Sequence, residues 1–155
     1  DPELAGMVRE LSKKARVFLF ENTGDLRVLP GLKKYFKGDD NVVFMDFPEL
    51  RPEEIVHMIS RFDGAVGAPM HFCIFSYVAG VPCALINYDD KVKELARFTR
   101  NKFNFEVDEI DRVPAAIMEL TRGQRIMKAG SKNRRNVAES SRKGIDKLAG
   151  FLKSA

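Results

Sequence analysis

Short continuous apolar runs alternate along this chain with longer segments in which apolar residues recur every three or four positions. Such runs are typical of strands buried on both faces, and the helical spacing is typical of amphipathic helices. The pattern predicts strands over 16–20, 41–45, 65–68, 82–87 and 103–107. It predicts helices over 2–14, 26–36, 51–62, 70–79, 91–100 and 113–120, followed by a long basic helical stretch.

This alternation predicts an α/β fold: a three-layer αβα Rossmann-like domain with a mainly parallel, doubly wound sheet and a C-terminal helical tail. The chain has 155 residues, 45% of them hydrophobic, which is the size of one ordinary domain. We therefore predict a single domain over residues 1–155. Because the chain begins Asp1-Pro2-Glu3, without Met or a basic-then-apolar leader, we expect it to be a fragment with further residues upstream.

Positive charge is concentrated at the C-terminal end. The net charge is +4, but residues 122–155 contain ten Lys or Arg against Glu139 and Asp146. No aromatic residue lies among these charges before Phe151, and no groove-reading motif is present. We therefore expect a solvated helix face rather than a nucleic-acid partner.

The apolar run 70–78 is interrupted by His71 and ends near Gly80, so no transmembrane segment is predicted.

Cys73 and Cys83 have neither CxxC spacing nor clustered histidines around them. The sequence therefore predicts no metal site, no cofactor and a reduced thiol pair, and we expect a cytoplasmic protein. The GxxxxGK[ST], GxGxxG, GxSxG and HExxH motifs are absent from the sequence, which disfavours kinases, dehydrogenases, hydrolases and zinc proteases.

In open α/β sheets, ligands bind beyond the carboxyl ends of the strands, which here makes the loops 21–24, 46–50, 67–71 and 87–91 candidates. The turn 67–71 is the strongest of them. With Pro69 as the first helical residue, Ala68 is the expected N-cap, and alanine has no oxygen to accept from the following N–H groups. Those donors and the helix dipole suit a phosphate or carboxylate. The alternative is that Gly67 and Ala68 only permit close packing of helix on sheet, with water completing the cap.

His71 lies in the first turn of the same helix, where the dipole favours a neutral imidazole able to act as an acid–base or hydrogen-bonding group. A structural role is the alternative. His57, between Val56 and Met58, has no carboxylate or second histidine placed with it. We therefore interpret His57 as a surface or boundary residue.

The segment from Asn87 through Tyr88 to Lys91 follows the strand 82–87. If that strand neighbours 65–68, Lys91 adds a cation beside the 67–71 loop, and the two loops could hold an anionic group together. The alternative, which is compatible with function, is ordinary turn chemistry in which Asp89 or Asp90 caps the next helix and Lys91 is exposed.

The run from Asp63 through Gly67, His71, Gly80 and Pro82, continued by Tyr88-Asp-Asp-Lys91, resembles the polysaccharide pyruvyl transferase family in order and spacing. That family looks like a two-domain, glycosyltransferase-B-like protein, and residues 16 to about 150 fit its C-terminal half. The chain departs from the pattern at Pro69, where the family has an arginine expected to clamp the donor.

The resemblance implies transfer of a pyruvyl group from phosphoenolpyruvate to a sugar hydroxyl of a cell-surface glycan. His71 is then the expected catalytic acid, and Gly67, Ala68, Met70, Asn87, Tyr88 and Lys91 are the expected substrate-binding residues. It implies a glycan acceptor and an N-terminal domain as partners, without which this domain should be inactive. Two alternatives stay open: a domain that binds a nucleotide sugar in a glycosyltransferase, and a non-catalytic homologue.

Overall fold

The predicted strands and helices form close to their expected positions. A computed structural model describes residues 2–20, 29–45 and 50–130 of the chain, with side chains to residue 123. Within these ranges the helices are α1 (Pro2–Ser12), α2 (Leu29–Lys33), α3 (Pro52–Ile59), α4 (Met70–Val78), α5 (Asp90–Thr99) and α6 (Val113–Gly130). The strands are β1 (Val17–Leu19), β2 (Val42–Phe44), β3 (Ala65–Gly67), β4 (Cys83–Asn87) and β5 (Asn104–Glu106).

Two details differ from the sequence-based assignment. A 3-10 helix over Val107–Arg112 leads into α6 and was not predicted. The predicted helix 26–36 is shorter, since α2 spans Leu29–Lys33, and residues 26–28 lie outside the described ranges. The basic stretch is described as part of α6 up to residue 130, and its remainder also lies outside those ranges.

All strand pairs in the described residues are parallel, as predicted. One ladder joins β1 to β2, and a second has the order β3-β4-β5. In the second ladder Gly67 lies opposite Leu85, and Asn87 lies opposite Glu106. All five residues of the central strand β4 are buried, whereas β5 lies at the edge of this ladder, with only Phe105 buried among its three residues.

The helices cover both faces of the strands, which confirms the predicted α/β class with its layered, Rossmann-like arrangement. Ala84 and Ile86 of β4 pack with buried residues of α1 and α6. Cys83 and Leu85, which alternate with them, pack with buried residues of α3, α4 and α5. Since side chains alternate between faces along a strand, Asn87 follows Cys83 and Leu85 on the face covered by α4 and α5.

None of the helices in the described ranges combines the length and the hydropathy that a membrane crossing requires. The single-domain boundary at 1–155 and the cytoplasmic location stay predictions.

Candidate functional site

Helix α4 begins without a side chain to cap it. Pro69 is the N-cap, with extended backbone angles (φ −65°, ψ 129°), and no side chain accepts a cap hydrogen bond. The prediction that Ala68 is the N-cap was therefore wrong by one residue, because the extended ψ of Pro69 keeps it out of the first helical turn. The first helical bond runs from the Cys73 N–H to the Pro69 carbonyl at 3.3 Å. Helix geometry thus leaves the N–H groups of residues 70–72 without a partner in the preceding turn.

Gly67 ends β3 directly beneath this helix. A Cβ built at Gly67 would lie 2.5 Å from Cδ1 of Phe72 and 2.9 Å from Sγ of Cys73. The Cys73 thiol also donates to the Gly67 carbonyl at 3.5 Å. Close packing of α4 on β3 therefore accounts for the glycine, which is the structural alternative considered for this turn.

The other predicted residues of the turn differ in what their side chains contact. Ala68 is half-buried and packs against the core shared with α1 and α6. Met70 is half-buried and packs against the core shared with α3, α4 and α5. His71 alone of these residues is exposed, in the first turn of α4 beside the free N–H groups. Its imidazole is therefore the side chain of the turn that a ligand can contact directly.

Asn87, the last residue of β4, is 5% exposed. Its Nδ2 donates to Oδ1 of Asn104 at 3.3 Å and to Oε1 of Glu106 at 3.4 Å. Its Oδ1 is buried and has no hydrogen-bond partner, the one such side-chain oxygen or nitrogen found in the described part of the chain. The predicted binding residue Asn87 thus presents a buried acceptor at the carboxyl end of the central strand.

Residues 88–91 connect β4 to α5. Asp89 is the N-cap of α5, and its Oδ1 accepts from the Val92 N–H at 3.0 Å, so the capping part of the prediction is confirmed. Tyr88 is 51% exposed, and partial desolvation together with the adjacent Asp89 carboxylate raises the pKa of its hydroxyl. Lys91 is exposed in the first turn of α5 and forms no ion pair with any residue in the described ranges.

Sequence reasoning missed three residues at this edge: Asn104, Glu106 and Lys93. Nζ of Lys93 lies 3.0 Å from Oε2 of Glu106, whose other oxygen accepts from Asn87. The signal that would have found Asn104 and Glu106 is their alternation about buried Phe105, which places both on one face of β5. Lys93 is therefore the cation that forms an ion pair at this end of the sheet, and the substrate-binding role of Lys91 stays a prediction.

The remaining candidate loops contribute less. Loop 21–24 and most of 46–50 lie outside the described residues. His57 is exposed on α3, as expected for a surface residue, and borders a shallow hollow of about 410 Å³ lined also by Met45, Leu50, Glu53, Glu54 and Met58. Across the described ranges, no group of three His, Cys, Asp or Glu side chains is arranged to hold a metal ion.

The ends of β3 and β4 therefore carry two complementary sets of atoms. Free N–H donors and the exposed His71 lie at the start of α4, and the Asn87 oxygen lies at the end of β4. The two segments leave hydrogen-bonded neighbouring strands at the same edge. This edge can receive an anion at the helix N-terminus and a hydrogen-bond donor at Asn87.

A family model of polysaccharide pyruvyl transferase matches residues 4–90, more than half of the chain. The chain belongs to the polysaccharide pyruvyl transferase family. The family match runs from α1 to the first residue of α5 and includes His71, Asn87 and Tyr88. It begins before residue 16, where the sequence resemblance was expected to start, and ends before Lys91. Neither a curated protein nor a solved structure matches the chain.

Proposed function

We propose that this chain carries the donor side of a pyruvyl transfer from phosphoenolpyruvate to a sugar of a cell-surface glycan. The observation that supports this most is the uncapped start of α4, with His71 exposed in its first turn, in a chain of the pyruvyl transferase family. Free N–H groups at a helix N-terminus attract phosphate and carboxylate, the two anionic groups of phosphoenolpyruvate.

The proposed chemistry uses His71 first as an acid and then as a base. With the anionic donor bound beside it, His71 in its protonated form gives a proton to the methylene carbon of phosphoenolpyruvate, and an electrophilic centre develops at C2. Two sugar hydroxyl oxygens then bond to C2, and the C2–O bond to phosphate breaks. One hydroxyl proton returns to His71 and the other leaves with inorganic phosphate, so the products are a methyl-bearing ketal and phosphate. The N–H groups at the start of α4 would hold the phosphate as its charge grows.

We propose further that the chain acts as the C-terminal, glycosyltransferase-B-like domain of a two-domain enzyme, with the glycan bound between the domains. Ligand sites in such proteins occur preferentially at domain interfaces, and the edge formed by α4 and β4 offers a surface for one. Lys91, exposed at the start of α5, would add positive charge to the donor site.

The alternative is a domain that binds a nucleotide sugar, and Pro69 is the observation that favours it. Proline offers neither the charge nor the side-chain donors of the family's arginine, so carboxylate recognition at this position would rest on backbone N–H groups alone. A diphosphate needs only those groups and the dipole. The same departure at Pro69 also suits a non-catalytic homologue.

The test is an NMR titration of the chain with phosphoenolpyruvate and, separately, with a uridine diphosphate sugar. We expect phosphoenolpyruvate to shift the amides of residues 70–72. His71→Ala should weaken that response, and His57→Ala, which changes another exposed histidine on α3, should leave it unchanged. A response to the nucleotide sugar alone would favour the alternative, a nucleotide-sugar-binding domain of a glycosyltransferase. No response to either ligand would contradict both and favour a non-catalytic role.

A further inference from the structure

The orientation of the Asn87 amide is determined by its neighbours on β5. Its Nδ2 lies between two acceptors, Oδ1 of Asn104 and Oε1 of Glu106. Asn104 uses its own Nδ2 to donate to the Asn101 carbonyl at 2.8 Å, so its oxygen is the atom that faces Asn87. Exchanging the nitrogen and oxygen of Asn87 would place its oxygen against two other oxygens. The unpartnered atom is therefore the oxygen.

This oxygen points away from β5. Since Nδ2 is bonded to acceptors on β5, the other branch of the planar amide, which carries Oδ1, is turned away from that strand, and the other neighbour of β4 is β3. Asn87 is 5% exposed, so water reaches little of it. A buried acceptor without a donor is costly, and native proteins keep few of them. An amide oxygen can accept only from an O–H or N–H group, so it does not bind the oxygens of an anion.

The groups around Asn87 fit a hydroxylated ligand better than a charged one. Glu106 is half-exposed and its charge is countered by Lys93 at 3.0 Å, while its carboxylate retains free lone pairs. Tyr88, the next residue, presents a 51% exposed ring with an apolar face and a polar tip. The carboxylates of Asp89, Asp90 and Glu106 outnumber the cations Lys91 and Lys93 in this part of the chain, so its charge favours a neutral polyol over an anion.

We propose that the carboxyl end of β4 and β5 binds a neutral sugar ring. One sugar hydroxyl donates to Oδ1 of Asn87, another donates to the carboxylate of Glu106, and the apolar face of the ring lies on Tyr88. Since Oδ1 has almost no solvent contact, binding of the sugar requires the groups that cover this oxygen to move. The proposal rests on the proposed function in one respect: the sugar is the acceptor that receives the pyruvyl group from a donor held at α4.

The experiment uses the full 155-residue chain and methyl glycosides of galactose, glucose and mannose as probes. Single-sugar affinities of about millimolar Kd suffice for NMR detection. We expect at least one glycoside to shift the side-chain amide of Asn87 and the backbone amide of Tyr88. Asn87→Leu, which removes the oxygen at similar volume, should lower the affinity about tenfold. Tyr88→Ala should weaken binding, and Phe98→Ala, which removes another exposed ring from α5, should not.

Two results would overturn the proposal. If no glycoside shifts Asn87 or Tyr88, the unpartnered oxygen takes a water molecule and is structural. If Asn87→Leu binds the glycoside as tightly as the wild type, the sugar does not use this oxygen. Failure of the proposed function is distinguishable, because phosphoenolpyruvate is titrated separately and read at residues 70–72.

Discussion

Gly67 and Phe72 approach each other so closely that no side chain fits between them. A Cβ at Gly67 would lie 2.5 Å from Cδ1 of Phe72, closer than carbon atoms pack without displacement. Phe72 is buried in the core beneath α4 and also meets Phe20 edge-on, with ring centroids 5.1 Å apart. The ring therefore has little room to withdraw, and the glycine sets how near α4 lies to β3.

Gly67→Ala should lower the free energy of unfolding by about 1–3 kcal/mol, the usual cost of overpacking a core. Urea denaturation followed by circular dichroism measures the change. Gly6→Ala is the matched control, since nothing lies within 4 Å of a Cβ at this position in α1. Alanine in a helix interior should there stabilise by about 0.5–1 kcal/mol. Equal stability of Gly67→Ala and wild type would contradict the prediction.

Asp89→Ala should destabilise the protein by about 0.5–2 kcal/mol, because the Val92 N–H loses its side-chain acceptor at the start of α5. Thermal unfolding measures the loss. Asp90→Ala serves as control: Asp90 lies in the first turn but does not cap, so only a smaller dipole interaction is removed. The assignment of the cap to Asp89 fails if the two variants melt alike.

Asn87→Leu should leave stability unchanged or raise it, whereas Asn101→Leu should lower it by about 1–3 kcal/mol. Asn87 ends β4 and Asn101 lies beside that strand, but they differ in how many of their side-chain polar atoms are hydrogen-bonded. Nδ2 of Asn101 donates to the Cys83 carbonyl at 2.8 Å, and its Oδ1 accepts from the Phe103 N–H at 2.9 Å. In Asn87→Leu, the oxygens of Asn104 and Glu106 lose the Asn87 amide as a donor. Both residues are exposed, so water replaces it. Chemical denaturation of both variants measures the free energy of unfolding. A large loss of stability in Asn87→Leu would contradict the prediction.

Stability should decline at alkaline pH through Cys73. Two causes raise the pKa of Cys73 far above its usual range: the larger is hydrogen bonding with the neighbouring Cys83 thiol, and the second is burial. In the unfolded chain a thiol has a pKa of about 8.5, so above that pH the unfolded state loses a proton that the folded state keeps. This contribution is fully present below about pH 8.5 and falls by up to about 1.4 kcal/mol per pH unit above it.

The measurement is urea denaturation in reductant at several alkaline pH values. Cys73→Ala should show a shallower decline than wild type, because one titrating group is removed. Identical slopes in the two proteins would show that other groups cause the decline. At neutral pH the same burial should make alkylation of both cysteines slow in the folded protein and fast in urea.

The sequence by itself determined the α/β class, the approximate place of each strand and α-helix, and a cap at Asp89 or Asp90, because these depend on local periodicity and on neighbours within one turn. It also identified Asn87 and His71 as candidates from their positions after a strand and at a helix start. The tertiary structure decided which groups meet. Asn87 contacts Glu106 only because the register of β4 on β5 places them opposite each other, and Lys93 reaches that carboxylate because α5 packs over β4. The contact that explains Gly67 and the unpartnered oxygen of Asn87 likewise arise from packing between distant segments, which no local pattern encodes.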